Sequence, residues 1–240
     1  MTKDTLYQEG TMQMLSEKLL EGTLSLKDLM QHGNYGIGTG PGIAGELIIL
    51  DGKAYHILGS GRIEEPPTTF SVPFANAHEG DFKKFGDYQA INLHEALDDI
   101  CEKMNGNNQF FAVLIKGKFS NIHTRSADGA NKPYPSLTKI AEGQHEFFAQ
   151  NIDGQLLSYH APKVFQGVTV EGFHSHFLAD DLSIGGHVLG GRLGDVEVYI
   201  QPISNFVEHL PINNQTYLDA DLNDLSNLDA DIKAAEEQRK

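Results

Sequence analysis

The stretch Glu171-Gly-Phe-His-Ser-His-Phe-Leu-Ala-Asp-Asp-Leu-Ser-Ile-Gly-Gly-His187 constrains this chain more than any other. It carries histidines at i, i+2 and i+13. On a strand, residues two apart share a face. A strand over 168–177 therefore sets His174 and His176 side by side. Asp180, Asp181 and Ser183 supply turn chemistry, so the chain can reverse and return His187 on a second strand. The glycines at 185, 186, 190 and 191 suit close backbone approach. Three imidazoles on one small sheet can hold Zn²⁺ and leave coordination positions open for a substrate. The plainer alternative is a hairpin whose histidines are satisfied core residues. No Cys-x-x-C or His-Glu-x-x-His pattern competes for a metal.

The rest of the chain is read around that hairpin. Leu6, Met12, Leu15, Leu19 and Leu20 fall at roughly helical spacing over 6–20, and 23–30 reads as a short second helix. Thr23 and Ser25 are its candidate caps, with Asp28 completing a capping box after Ser25 and Gly33 closing the helix. Tyr35-Gly-Ile-Gly-Thr-Gly-Pro-Gly-Ile-Ala-Gly45 reads as a glycine-rich loop. It is not a phosphate loop, because it lacks the Gly-Lys-Ser/Thr ending and a strand follows it. That strand, 46–52, turns at Asp51-Gly52 into a hairpin partner over 53–58. Glu46 stands at its mouth, where a carboxylate is either merely solvated or a wall of a site.

A strand is expected over 68–75 and an amphipathic helix over 92–104, opened by Asn92. Strands over 110–116 and 117–125 read as a hairpin bending at Lys116-Gly117-Lys118, with Arg125 near its end. A basic residue there is usually just solvated, but it is also where a carboxylate-binding fork belongs. A short helix falls within 137–150. The alternation of Asp195-Val-Glu-Val-Tyr-Ile-Gln201 marks a half-exposed strand. The acidic tail from Leu218 has helix propensity at its end.

This order predicts an α+β fold: two mixed or antiparallel β-sheets with a few flanking helices and the metal site on the C-terminal sheet. Residues 1–125 would form an N-terminal sheet region with the glycine loop and Glu46. Residues 126–240 would form a C-terminal metal-binding sheet region with the acidic tail. The two can pack as one compact unit.

Eighteen basic against 33 acidic side chains give a net charge of −15. That field repels phosphate backbones and argues against nucleic acid as a partner. No apolar run is long enough for a membrane span, no signal-peptide core opens the chain, and a single cysteine, Cys101, suits a reducing compartment. A cytoplasmic location and no membrane partner are the expectations.

Several stretches, in order, resemble the alpha-acetolactate decarboxylase family: Leu6-Tyr-Gln-Glu-Gly-Thr-Met, Gly36-Ile-Gly-Thr-Gly, Gly45-Glu-Leu-Ile-Ile-Leu-Asp-Gly-Lys-Ala-Tyr, Pro73-Phe-Ala, Thr124-Arg125, Lys132-Pro-Tyr-Pro-Ser-Leu, and Gly172-Phe-His-Ser-His-Phe through Gly-Gly-His-Val-Leu. Gly40-Pro-Gly-Ile-Ala and the segment after Arg125 depart from the family's usual form. The resemblance implies metal-dependent, non-oxidative decarboxylation of 2-acetolactate to acetoin through a metal-stabilised enediolate. It implies His174, His176 and His187 as metal ligands, with Zn²⁺ as cofactor. Glu46 would be the proton-handling carboxylate, removing the hydroxyl proton or delivering one to carbon. Arg125 would be a catalytic and substrate-binding residue and Thr39 a substrate-binding one. A tail glutamate would complete the site, Glu236 with Glu237 close behind. A homodimer is implied as well. Two rivals stand beside this reading. One is a non-catalytic binding module related to the small domain of AT-hook DNA-associated proteins, opposed by the acidic balance. The other is a cupin-like metal enzyme, which wants a glutamate shortly after His176 where this chain has Asp180-Asp181.

Overall fold

The structure, a computed structural model, describes residues 2–223 and Leu228. The first apolar run is not one helix. Strand β1 (Thr5–Glu9) is followed by the single-turn α1 (Met12–Ser16), which Thr11 caps by accepting from Met14 N at 3.1 Å. All five residues of β1 are buried, so its sequence shows no alternation, and Gly10 (φ 72) breaks the helical spacing. Strand β2 (Leu24–Ser25) leads into α2 (Leu26–Leu29). Ser25 caps α2 through Asp28 N at 3.1 Å, as the capping box predicts. Thr23 does not cap; its hydroxyl donates to the Glu9 carboxylate. Gly33 is extended (φ 166) and not a left-handed cap, and it lies against His78.

The expected glycine loop is strand β3 (Gly36–Gly40) plus a tight turn over 41–43. Its glycines serve close strand approach: a Cβ on Gly38 would stand 2.4 Å from that of Ala75. Strand β4 (Ala44–Leu50) turns through Asp51 (φ 50) and Gly52 (φ 78) into β5 (Lys53–Ile57), the hairpin that Asp-Gly predicts. Two-residue β6 (Ile63–Glu64) follows. Pro73 divides the strand expected over 68–75 into β7 (Ser71–Val72) and β8 (Phe74–His78). Next come β9 (Lys83–Gln89) and α3 (Leu93–Lys103), whose cap Asn92 accepts from His94 N.

The expected hairpin over 110–125 is one strand, β10 (Phe110–Ala127). Gly117 (φ 132) marks an irregularity in pairing with β13 (Gly185–Ile203), not a reversal. Between them lie α4 (Leu137–Ala141), β11 (Gln144–Ala161) and β12 (Gly172–Ala179). Strand β14 (Asn205–His209) and α5 (Gln215–Asp219) follow β13.

Two principal sheets result, and the α+β expectation holds. The first has order β14-β1-β8-β3-β4-β5-β6, antiparallel except for the parallel β1–β14 pair. The second is antiparallel, order β10-β11-β12-β13-β9, and β10 also pairs with β13, closing β10 to β13 into a ring. One apolar layer joins the two sheets, with Ile37, Ile48 and Ile57 meeting Leu114, Leu157 and Leu178. A second fills the other face of the ring beneath α3, and a third packs α2 on the outer face of the first sheet. Full burial of such side chains contributes about 1.5–3 kcal/mol each. A fourth cluster, including Met12, Leu15, Phe74, Leu137 and Ile140, brings α1 and α4 together where the two sheets open. Among the described residues no helix is long and apolar enough to cross a membrane.

Candidate active site

Gly172 (φ 77) starts β12, later than the expected start at 168. His174 and His176 then leave the same face, cross-strand from Tyr159 and Leu157 on β11. The turn over 180–183 returns the chain so that His187 stands directly opposite His176. Arg125 on β10 stands directly opposite His187. Strand pairing alone therefore puts Arg125 and the three histidines on one face, turned toward the first sheet.

All three histidines are buried, and one ring nitrogen of each lies within 4.8 Å of the others. The Nδ1–H of His176 donates to the Leu47 carbonyl on β4 at 2.8 Å, which leaves the lone pair on Nε2. That buried Nε2 makes no hydrogen bond, and it faces Glu46 Oε2 at 3.3 Å. An imidazole lone pair and a carboxylate oxygen are both acceptors, and a cation held by the imidazoles next to the carboxylate would resolve their opposition. The residues fit a metal ion. Burial pushes His174 down to about 3, with the charge of Arg125 adding to it. Burial first, then His174, holds His176 well below the usual imidazole range. Both are neutral near pH 7, the form that binds metal.

Glu46 approaches from the first sheet. Its Oε1 accepts from Arg125 Nη1 at 3.1 Å, and both side chains are buried. Two side chains fix the backbone before it. Thr39, cross-strand from Glu46, donates Oγ1 to Gly45 O at 2.7 Å, and His56 donates Nε2 to Ala44 O at 2.8 Å. Gly45 (φ 74) has no alternative, since a Cβ there would lie 2.3 Å from His56 Nε2. Ser126 Oγ donates to Ile57 O at 2.7 Å, which ties the Arg125 strand to the sheet that carries Glu46.

These groups meet at a cavity of about 50 Å³. Thr39, Glu46, Arg125, His174 and His187 give it one polar wall, and Met12, Leu15, Phe74, Leu137 and Ile140 give it apolar ones. The structure thus brings together Thr39, Glu46, Arg125 and the three histidines from five strands of two sheets. Glu236 and Glu237 lie outside the described residues. The sequence reading missed His56 and Gln144. His56 shows only as one more residue of a short strand. Gln144 opens a strand whose first half is largely exposed and gives no apolar signal.

The profile of the alpha-acetolactate decarboxylase family matches residues 6–224. The chain belongs to the alpha-acetolactate decarboxylase family. It is an enzyme of that class, a carboxy-lyase. Alpha-acetolactate decarboxylase of Lactococcus lactis subsp. cremoris is 35% identical over 96% of this chain and 98% of its own length. That of Brevibacillus brevis is 31% identical over 99% and 83%. Among solved structures, a Staphylococcus aureus protein of unknown function similar to alpha-acetolactate decarboxylase superposes with a TM-score of 0.93 at 37% identity, covering 97% of this chain and all of that one. Alpha-acetolactate decarboxylase of Bacillus subtilis strain 168 gives 0.91 at 27% identity over 98% and 100%. The likeness spans both sheets, so the family reading prevails over the binding-module and cupin-like alternatives.

Proposed function

We propose that the chain converts 2-acetolactate to acetoin and CO₂ at this cavity, with a divalent cation, zinc, held by His174, His176 and His187. The observation that carries the reading is the meeting of the buried Arg125–Glu46 pair with the histidine cluster at one small cavity. When bound, the cation would supply Lewis acidity for the negative charge that develops on the keto oxygen as CO₂ leaves. Three imidazoles with a carboxylate alongside suit zinc.

The bond between C2 and the carboxylate breaks, and its electron pair moves to the keto oxygen to give an enediolate. One proton must then reach C2. Arg125 orients the substrate carboxylate with its planar fork while remaining paired with Glu46. Glu46 sits beside that fork; it takes up from water the one proton the reaction consumes and delivers it to one face of C2, leaving the C2 hydroxyl in place. Thr39 fixes the strand that aims Glu46 and lines the substrate's approach. Met12, Leu15, Phe74, Leu137 and Ile140 accept the substrate's methyl groups and keep water out, which strengthens the charge interactions within. Glu236, with Glu237 beside it, is the tail acid that would assist the transfer.

The test is direct. Purified protein is mixed with racemic 2-acetolactate, and acetoin and CO₂ are measured. Equal amounts of both, formed well above the spontaneous rate, support the reading. Acetoin at only the spontaneous rate sinks it.

A further inference from the structure

Gln144 is the first residue of β11 and stands cross-strand from Ala127. Ala127 lies two residues beyond Arg125 on β10, so Gln144 and Arg125 project from one face of the sheet. Gln144 lines the same cavity as Glu46, Arg125, His174 and His187. Its Oε1 is buried and has no hydrogen-bond partner among the described residues. A buried acceptor left without a donor is costly, and a bound ligand removes the cost when it brings a donor of its own. Two other acceptor groups beside it are engaged. Glu46 accepts from Arg125, and the carbonyl of Gly45 accepts from Thr39.

Resting on the decarboxylase reading, the ligand is a 2-hydroxy-3-keto acid. At neutral pH its carboxylate and keto oxygens only accept hydrogen bonds, and its C2 hydroxyl is its one donor. We infer that Gln144 is a substrate-binding residue whose Oε1 accepts from the C2 hydroxyl, selecting 2-hydroxy acids over acids that lack the group. Held by Arg125 at the carboxylate and by Gln144 at the hydroxyl, C2 has two of its four substituents fixed. Those two anchors decide which face of C2 turns to Glu46, and Gln144 thereby takes part in setting the handedness of the product.

Two stable acids probe this by titration calorimetry on the purified full chain. 2-Hydroxy-2-methylbutanoate carries the hydroxyl, and 2-methylbutanoate lacks it. Wild type is expected to favour the hydroxy acid. Gln144→Met removes the acceptor at nearly constant length and should shrink that preference about three- to tenfold, leaving affinity for 2-methylbutanoate little changed. Gln144→Ala repeats the deletion should the methionine variant fail to fold, and thermal melting reports on the fold of each. The amide carries donors as well as an acceptor, so Gln144→Glu separates the two. It should keep the hydroxyl preference while binding both anions more weakly. A wild type with no preference, deletion variants with an undiminished one, or a glutamate variant that loses it as fully as methionine would each overturn the inference. Failure of the decarboxylase reading looks different: no acetoin from acetolactate, with the binding preference and its dependence on Gln144 intact.

Discussion

Replacing Glu46 with glutamine removes one negative charge and leaves the side chain's shape almost unchanged. At 3.1 Å from Arg125 Nη1, the lost Coulomb attraction is about 5 kcal/mol at an effective dielectric near 20. Recovered desolvation of the carboxylate offsets part of that. Breaking a buried pair outright costs about 3–5 kcal/mol. The amide oxygen can still accept from the guanidinium, and a hydrogen bond to a charged group retains about 1.5–3 kcal/mol. The net loss of stability is then about 1–3 kcal/mol, a fall in Tm of roughly 2–12 °C for a chain of this size. Turnover should fall much further, on the order of a hundred- to ten-thousandfold, because the amide cannot pass a proton. Metal content should stay at the wild-type level, since the three imidazoles are untouched. Acetoin formation, elemental analysis and thermal melting on one preparation separate these effects. Chiral chromatography of the residual acetoin shows whether facial control went with the carboxylate. Wild-type turnover in a folded, metal-loaded variant refutes the role given to Glu46.

Arg125→Lys keeps the charge but not the planar fork, so turnover should drop on the order of a hundredfold with metal content unchanged, and wild-type turnover would reduce Arg125 to a structural charge. Glu208, on β14 beside Gln8, is pushed up to about 9 by burial, with the charge of Glu9 adding to it. Its folded value lies above its unfolded one, so the neutral carboxyl's contribution to stability is fully present below about pH 4.3 and is lost as pH rises through 9. Glu208→Gln should therefore melt several degrees above wild type at pH 8 and near it at pH 4; an equal gap at both would contradict the assignment. The first sheet ends in β14 and β6, and pairing through such an edge would give the dimer that the family resemblance implies; sedimentation at micromolar concentration should then return twice the monomer mass, and a monomer would refute it.

What could be read from sequence follows from where the signals are local. The His174–His176 pair needed only the period of a strand, the Asp51-Gly52 hairpin only its turn chemistry, and α3 only its amphipathic spacing and Asn92. Those readings hold because neighbours in the chain decide them. Others failed where distant residues decide. Strand β1 is buried on both faces and pairs with β8 and β14, so its apolar residues mimicked helix spacing. The glycines of β3 looked like a loop because their purpose, close packing on Ala75 and Asn76, lies some forty residues away. Gly117 resembled a turn but is absorbed as an irregularity between paired long strands. Within the site, Glu46, Arg125 and Thr39 were drawn from motif resemblance, whereas their convergence from two sheets belongs to the tertiary fold. His56 and Gln144 carried no local mark at all.

The central claim is that the three imidazoles hold a catalytic divalent cation. Elemental analysis of the purified chain, with turnover followed through chelation and then zinc re-addition, tests it most directly. The account predicts one zinc per chain, loss of acetoin formation as the metal is withdrawn, and recovery on re-addition. Full turnover in protein shown to be metal-free would contradict it.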